Sequence, residues 1–171
     1  MSQDDAGIDL ENSPGYLLKE ASSALRAAME TVLRPLGMSI THYACLELLA
    51  QRPGLSNSDL ARGAFVTRQS MNVLLQSLEQ IGDVVRPPED RVGKTLPARL
   101  TTQGRQKLEK ATTAVRHVEI RMLADLTPAD RARASEILRT MVHSLRSGDD
   151  VDEIGAVDPQ GEKGTTSISL R

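Results

Sequence analysis

Six helices with a short β-hairpin between the fourth and fifth are the arrangement this sequence predicts: a mainly α fold with a small β wing. Three observations lead there. Apolar residues recur at three- and four-residue spacing in separate stretches, most of them opened by a serine or threonine that can cap a helix. That pattern breaks once, where Val84-Val85-Arg86 and residues 95–100 flank a charged loop and read as two short strands. Finally, residues 56–104 run in a telling order: capped short helix, tight turn, longer helix, two β segments, new helix start. That is the order of a winged helix-turn-helix, whose second helix enters a DNA major groove while the loop reaches beside it.

Taken in order, residues 1–12 are acidic and aperiodic, and are expected to be a disordered arm. Ser13-Pro14 is an N-cap followed by proline at the first helical position, and starts a helix over 14–33 with Leu17, Leu18, Ala21, Leu25, Ala28, Met29 and Val32 on its apolar stripe. Pro35 and Gly37 close it. Ser39 caps a second helix over 40–51, carrying Tyr43, Leu46, Leu49 and Ala50 inward, and Pro53-Gly54 ends it in a turn. Ser56 and Asp59 form a capping box for a short helix over 57–63. Arg62-Gly63-Ala64 is expected to make the following turn, with Gly63 free to take a positive φ.

Thr67 caps the helix over 68–81, whose inner stripe is Met71, Leu74, Leu75, Leu78 and Ile81. Gly82 stops it, and Pro87-Pro88 ends the first strand. Thr101 or Thr102 opens a helix reaching about residue 125, with Leu108, Ala111, Val115, Val118 and Met122 in line. Thr127-Pro128-Ala129-Asp130 opens the last, over 128–146, which Gly148 ends. The rest, 147–171, is acidic and rich in glycine and serine, and is expected to be a disordered tail.

Composition narrows the function. No run of apolar residues is long enough to span a membrane, and the opening residues lack a signal-peptide layout, so a cytoplasmic protein is expected. The single cysteine, Cys45, excludes an internal disulfide, and with no basic neighbour on its helix it reads as a buried, inert thiol. No Cys/His cluster has metal-ligand spacing, no phosphate-binding glycine loop is present, and His42, His117 and His143 are dispersed. No metal, cofactor or enzymatic activity is expected. The formal net charge of −2 conceals an uneven distribution: residues 1–12 and 148–171 each carry a net −4, which leaves the middle of the chain at +6. A basic body between acidic ends suits a phosphate backbone. Tyr16, Tyr43 and Phe65 are the only aromatic residues, too few to stack on single-stranded bases, so duplex DNA is the expected nucleic acid.

In this order the elements resemble the multiple antibiotic resistance regulator (MarR) family. The resemblance covers about residues 14–145 and rests on LRPLGMSITHYACLELLAQRPGLSNSDLA (33–61), TRQSMNVLLQSLEQIGDVVR (67–86) and LPARLTTQGR (96–105). It implies one winged helix-turn-helix domain over 13–146. The DNA-binding core would be about 39–101, and the flanking helices (14–33 and 102–146) would pair two copies into a homodimer. It further implies binding to a pseudo-palindromic duplex operator and release by a small aromatic or phenolic effector, or on oxidation. The apolar stripes of the first, fifth and sixth helices independently favour a partner copy, because they exceed what one small winged domain covers.

On the reading helix, Arg68, Gln69, Asn72 and Gln76 are the expected base-edge contacts, and Thr67 and Ser70 suit phosphates or bases near the helix start. The face they share carries no acid. The wing departs from the family's Asp-x-Arg: here Asp90-Arg91-Val92 puts valine where that arginine would fall, so Arg91 and Lys94 are both candidates for the minor groove. Arg86 is a candidate for a phosphate contact or a structural role. By the same resemblance, Tyr16, His42 and Arg86 would border an effector cleft. The rival reading is a winged-helix protein-interaction module that does not bind DNA.

Overall fold

The computed structural model describes residues 9–86 and 97–152. Its elements are α1 (Pro14–Leu33), a single 3₁₀ turn (Arg34–Leu36), α2 (Ile40–Gln51), α3 (Asn57–Gly63), α4 (Arg68–Gln80), β1 (Val84–Val85), β2 (Arg99–Leu100), α5 (Thr102–Met122) and α6 (Pro128–Asp152). The strands pair antiparallel, with Val84 opposite Leu100 and Val85 opposite Arg99. The chain divides after Ala124 into two compact units, one holding α1–α5 with the β pair and the other holding α6.

Helix starts are set by local chemistry. The hydroxyls of Ser13, Ser39, Ser56, Thr67 and Thr101 each accept a backbone N–H three residues on, satisfying a donor that the helix itself leaves free. Ser56 and Asp59 complete the reciprocal capping box, and Thr127 and Asp130 repeat its bonds at the start of α6.

Three segment ends share one closure. At Gly37, Phe65 and Gly82 the chain turns left-handed, with φ of 66°, 57° and 79°. In each case that residue and the next donate back to the preceding turn: Gly37 to Arg34 and Met38 to Leu33; Phe65 to Arg62 and Val66 to Ala61; Gly82 to Glu79 and Asp83 to Leu78. This pair of bonds is the Schellman closure, which favours glycine at the turning residue. The expectation that Gly63 supplies the positive φ after α3 is therefore corrected. Phe65 supplies it, and Gly63 lies within the helix, where an added Cβ would come within 2.9 Å of Leu48 Cδ1. There Gly63 lies against the Leu48 side chain of α2, a contact between elements that local turn rules do not see.

The core is formed by Leu46 and Leu49 of α2, Leu60 of α3, Met71, Leu75 and Leu78 of α4, Val84 and Leu100 of the strands, and Leu108 and Ala111 of α5, with Leu33 closing it from α1. Ile81, expected on the inner stripe, is the C-cap residue of α4 and stands 47% exposed. Most of α1 lies outside this core, so Tyr16, Leu17 and Leu18 are exposed. Two boundaries differ from expectation. α5 stops at Met122 rather than about 125, and α6 runs through Gly148 to Asp152. One glycine costs a helix about 1 kcal/mol and does not by itself stop it. Within its own unit, α6 leaves Ile137, Leu138, Val142 and Leu145 exposed.

Candidate nucleic-acid interface

The outer face of α4 is built from the cap onward. Thr67 Oγ1 accepts from Ser70 N at 3.1 Å and lies 2.8 Å from Ser70 Oγ, which fixes the helix start and leaves the first N–H groups directed outward. Because Met71, Leu75 and Leu78 are pulled into the core, Arg68, Gln69, Asn72, Val73 and Gln76 are necessarily turned away from it, and all are exposed, as are Thr67 and Ser70. From Leu60 to Leu78 the sequence contains no acid. This face offers a guanidinium, amides and hydroxyls, the groups that pair with guanine, adenine and phosphate edges.

The far end of α4 is fastened by a polar cluster that the sequence analysis did not identify. Asp83 follows the left-handed Gly82 and is fully buried. Its carboxylate accepts from Gln103 Nε2 at 2.9 Å and faces Lys107 Nζ at 2.7 Å, both from α5, while His42 Nε2 of α2 lies 3.4 Å away. Thr101 Oγ1 donates to Gly82 O at 2.6 Å while accepting from Gly104 N. Gly104 packs so closely that an added Cβ would lie 2.0 Å from Asp83 O. The start of α5 and the end of α4 thus share one joint. A charged residue at the second position of a Schellman closure, where an apolar residue usually sits, is the local signal that could have revealed it.

His42 is 8% exposed and sits in this joint rather than on the helix surface. Burial first, and Lys107 after it, hold its pKa below the ordinary histidine value, against the pull of Asp83. Arg86 grips the Glu79 carboxylate with its guanidinium, and its backbone N–H donates to Glu79 Oε1 at 3.2 Å. The guanidinium bond above all holds the Glu79 carboxyl below its usual range, and the pair ties the end of β1 to α4. Tyr16 lies 45% exposed on α1. Tyr16, His42 and Arg86 therefore occupy three separate settings. Arg91 and Lys94 lie outside the described residues. Cys45 is buried, and burial pushes its thiol up to about 12, so almost none of it is thiolate near neutral pH.

A short positioning helix, a polar acid-free second helix and an antiparallel β pair define a winged helix-turn-helix module. Residues 36–94 match the model of the MarR family. The HTH-type transcriptional repressor Rv2887 of Mycobacterium tuberculosis is 40% identical over 127 residues, 74% of this chain and 91% of that protein. The chain belongs to the MarR family. Its structure is similar to that of Rv2887 in complex with DNA (TM-score 0.63, 39% identity, 75% of this chain and 97% of that one) and in complex with salicylic acid (0.63, 40%, 75% and 96%). The PcaV regulator of Streptomyces coelicolor, at 21% identity, shares the fold with a TM-score of 0.69 over 82% of this chain and 99% of that one.

Proposed function

We propose that this protein is a cytoplasmic, non-enzymatic transcriptional repressor that binds a pseudo-palindromic duplex operator as a homodimer and is released by a small aromatic or phenolic acid. The observation that carries the DNA reading is the acid-free outer face of α4, where Arg68, Gln69, Asn72 and Gln76 stand exposed on a helix anchored by its opposite face. The basic middle of the chain supports it electrostatically. Rv2887 adds weight, being a repressor whose structures include complexes with DNA and with salicylic acid.

A second copy of the chain accounts for the uncovered apolar residues of each unit: Tyr16, Leu17 and Leu18 on α1, Ile120 and Met122 on α5, and Ile137, Leu138, Val142 and Leu145 on α6. In this reading Arg86 steadies the wing through Glu79 and reaches phosphate only if that pair opens. Arg91 and Lys94 both remain candidates for the minor groove. Among the described residues no helix is long and apolar enough to cross a membrane.

Footprinting on the DNA upstream of its own gene, with and without salicylic acid, tests the proposal. The expected result is two protected half-sites about one helical turn apart, lost as the acid is added. Protection of a single half-site would contradict the dimer. Protection that no aromatic acid relieves would remove the effector, and no protection on any genomic fragment would favour the protein-interaction module.

A further inference from the structure

We propose that Phe65 is a DNA-contacting residue, an apolar probe placed beside the entering end of α4 that packs on the duplex at the edge of the major groove. The inference rests on the DNA-binding reading above and adds a residue outside the reading helix. Phe65 is the only phenylalanine in the chain, it is 85% exposed, and it is the only non-glycine residue among those described with a positive φ. Exposure alone would mean little, since single apolar residues are common on protein surfaces. The backbone position is what makes it informative. The chain uses the same closure at Gly37 and Gly82, and in both cases places glycine where L side chains are disfavoured. At the third closure it places a large aromatic ring in the disfavoured conformation and turns it into water. Neither folding nor solubility gains from that choice. Departures of this kind cluster where the side chain serves function.

Location supplies the occupant. Phe65 precedes the cap residue Thr67 by two positions, so its Cα lies within about 7 Å of the helix end that would enter the groove. It stands in the acid-free run that leads to Arg68, which is exposed, and follows Arg62, whose exposed guanidinium reaches Asp59 Oδ1 at 3.4 Å; an aromatic residue beside a cation suits a duplex edge, where phosphates flank apolar groups. The apolar surface available there is the thymine C5-methyl or the face of a deoxyribose.

The test uses the full chain and a duplex selected by it from a random-sequence library. Phe65→Asn and Phe65→Gly both keep a left-handed backbone while removing the ring. Expected are a Tm no lower than that of the parent, operator affinity weaker by roughly fivefold or more from the lost apolar burial, and an unchanged slope of log affinity against log salt, because no phosphate contact is removed. Phe65→Tyr should retain binding. Uracil for thymine, one site at a time, separates the two sources. If the ring meets a methyl, one replacement weakens the parent but not Phe65→Asn. If it meets a sugar, every replacement affects both proteins alike. Full affinity in both variants overturns the proposal, as does a loss of affinity matched by a lower Tm or a flatter salt slope. A parent chain that selects no duplex overturns the DNA reading itself.

Discussion

Replacing Asp83 with alanine should lower stability by about 2–3 kcal/mol, and the figure follows from what surrounds the carboxylate. It is fully buried and receives Gln103 Nε2 at 2.9 Å and Lys107 Nζ at 2.7 Å. Hydrogen bonds to a charged group are worth about 1.5–3 kcal/mol each, which sets an upper bound well above the net loss. Two relaxations reduce it. The Lys107 side chain is 39% exposed and can turn its ammonium to water, so no cation is stranded. Gln103 keeps its bond to Ile81 O at 2.7 Å. The full 3–5 kcal/mol of a broken buried pair is therefore not expected. Asp83→Asn, which keeps an acceptor for Gln103, should lose about half as much. Urea unfolding followed by circular dichroism measures both, at one fixed protein concentration because association contributes to stability. A loss below about 0.5 kcal/mol for the alanine variant, or equal losses for the two, would show that the cluster does not hold the joint.

Gly104→Ala should cost about 3 kcal/mol or more, because its Cβ meets backbone oxygen at 2.0 Å, whereas Gly63→Ala should be near neutral in thermal melts, since the Leu48 side chain it meets can rotate and alanine favours the helix. The depressed pKa of His42 makes the unfolded state bind the proton more readily. Its contribution is thus fully present above the ordinary value of 6.5 and is lost as pH falls below it. Stability measured from pH 7 to pH 5 should decline less in His42→Gln than in the parent, and parallel curves would exclude this role. Arg68→Ala should weaken operator binding by about 1–3 kcal/mol and relax preference at one base position; an equal loss on every duplex in a mobility-shift series would leave Arg68 a phosphate contact only.

Where the physics is local, the sequence was sufficient to read the structure. Ser13, Ser39, Ser56 and Thr67 cap the helices they were expected to cap, and of the two candidates for α5 Thr101 is the cap, because capping depends on residues three positions apart. The outward set of α4 was legible for the same reason, following directly from the spacing of Met71, Leu75 and Leu78. Asp83 was not legible, since its partners lie 20 or more residues ahead in α5 and about 40 behind in α2, and only the fold brings them together. The positive φ after α3 was placed at Gly63 because a turn rule looks for glycine, whereas the helix continues through Gly63 and the chain turns two residues later at Phe65. His42 was ambiguous on its helix, and became a member of the joint only once Lys107 and Asp83 were in place.

The shared joint between α4 and α5 has a mechanical consequence. From Gly104 to Met122 the helix is about 27 Å long, pinned at one end by the Thr101 hydroxyl, the Asp83 carboxylate and a contact too tight for a methyl group. Leu108, Ala111 and Val118 are buried farther along the same helix, so α5 is seated on the core as well as fastened at its start. The joint therefore couples the end of α4 to the start of α5 as one piece: neither can be repositioned without breaking the bonds to Asp83 and Gly82 or opening the contact at Gly104.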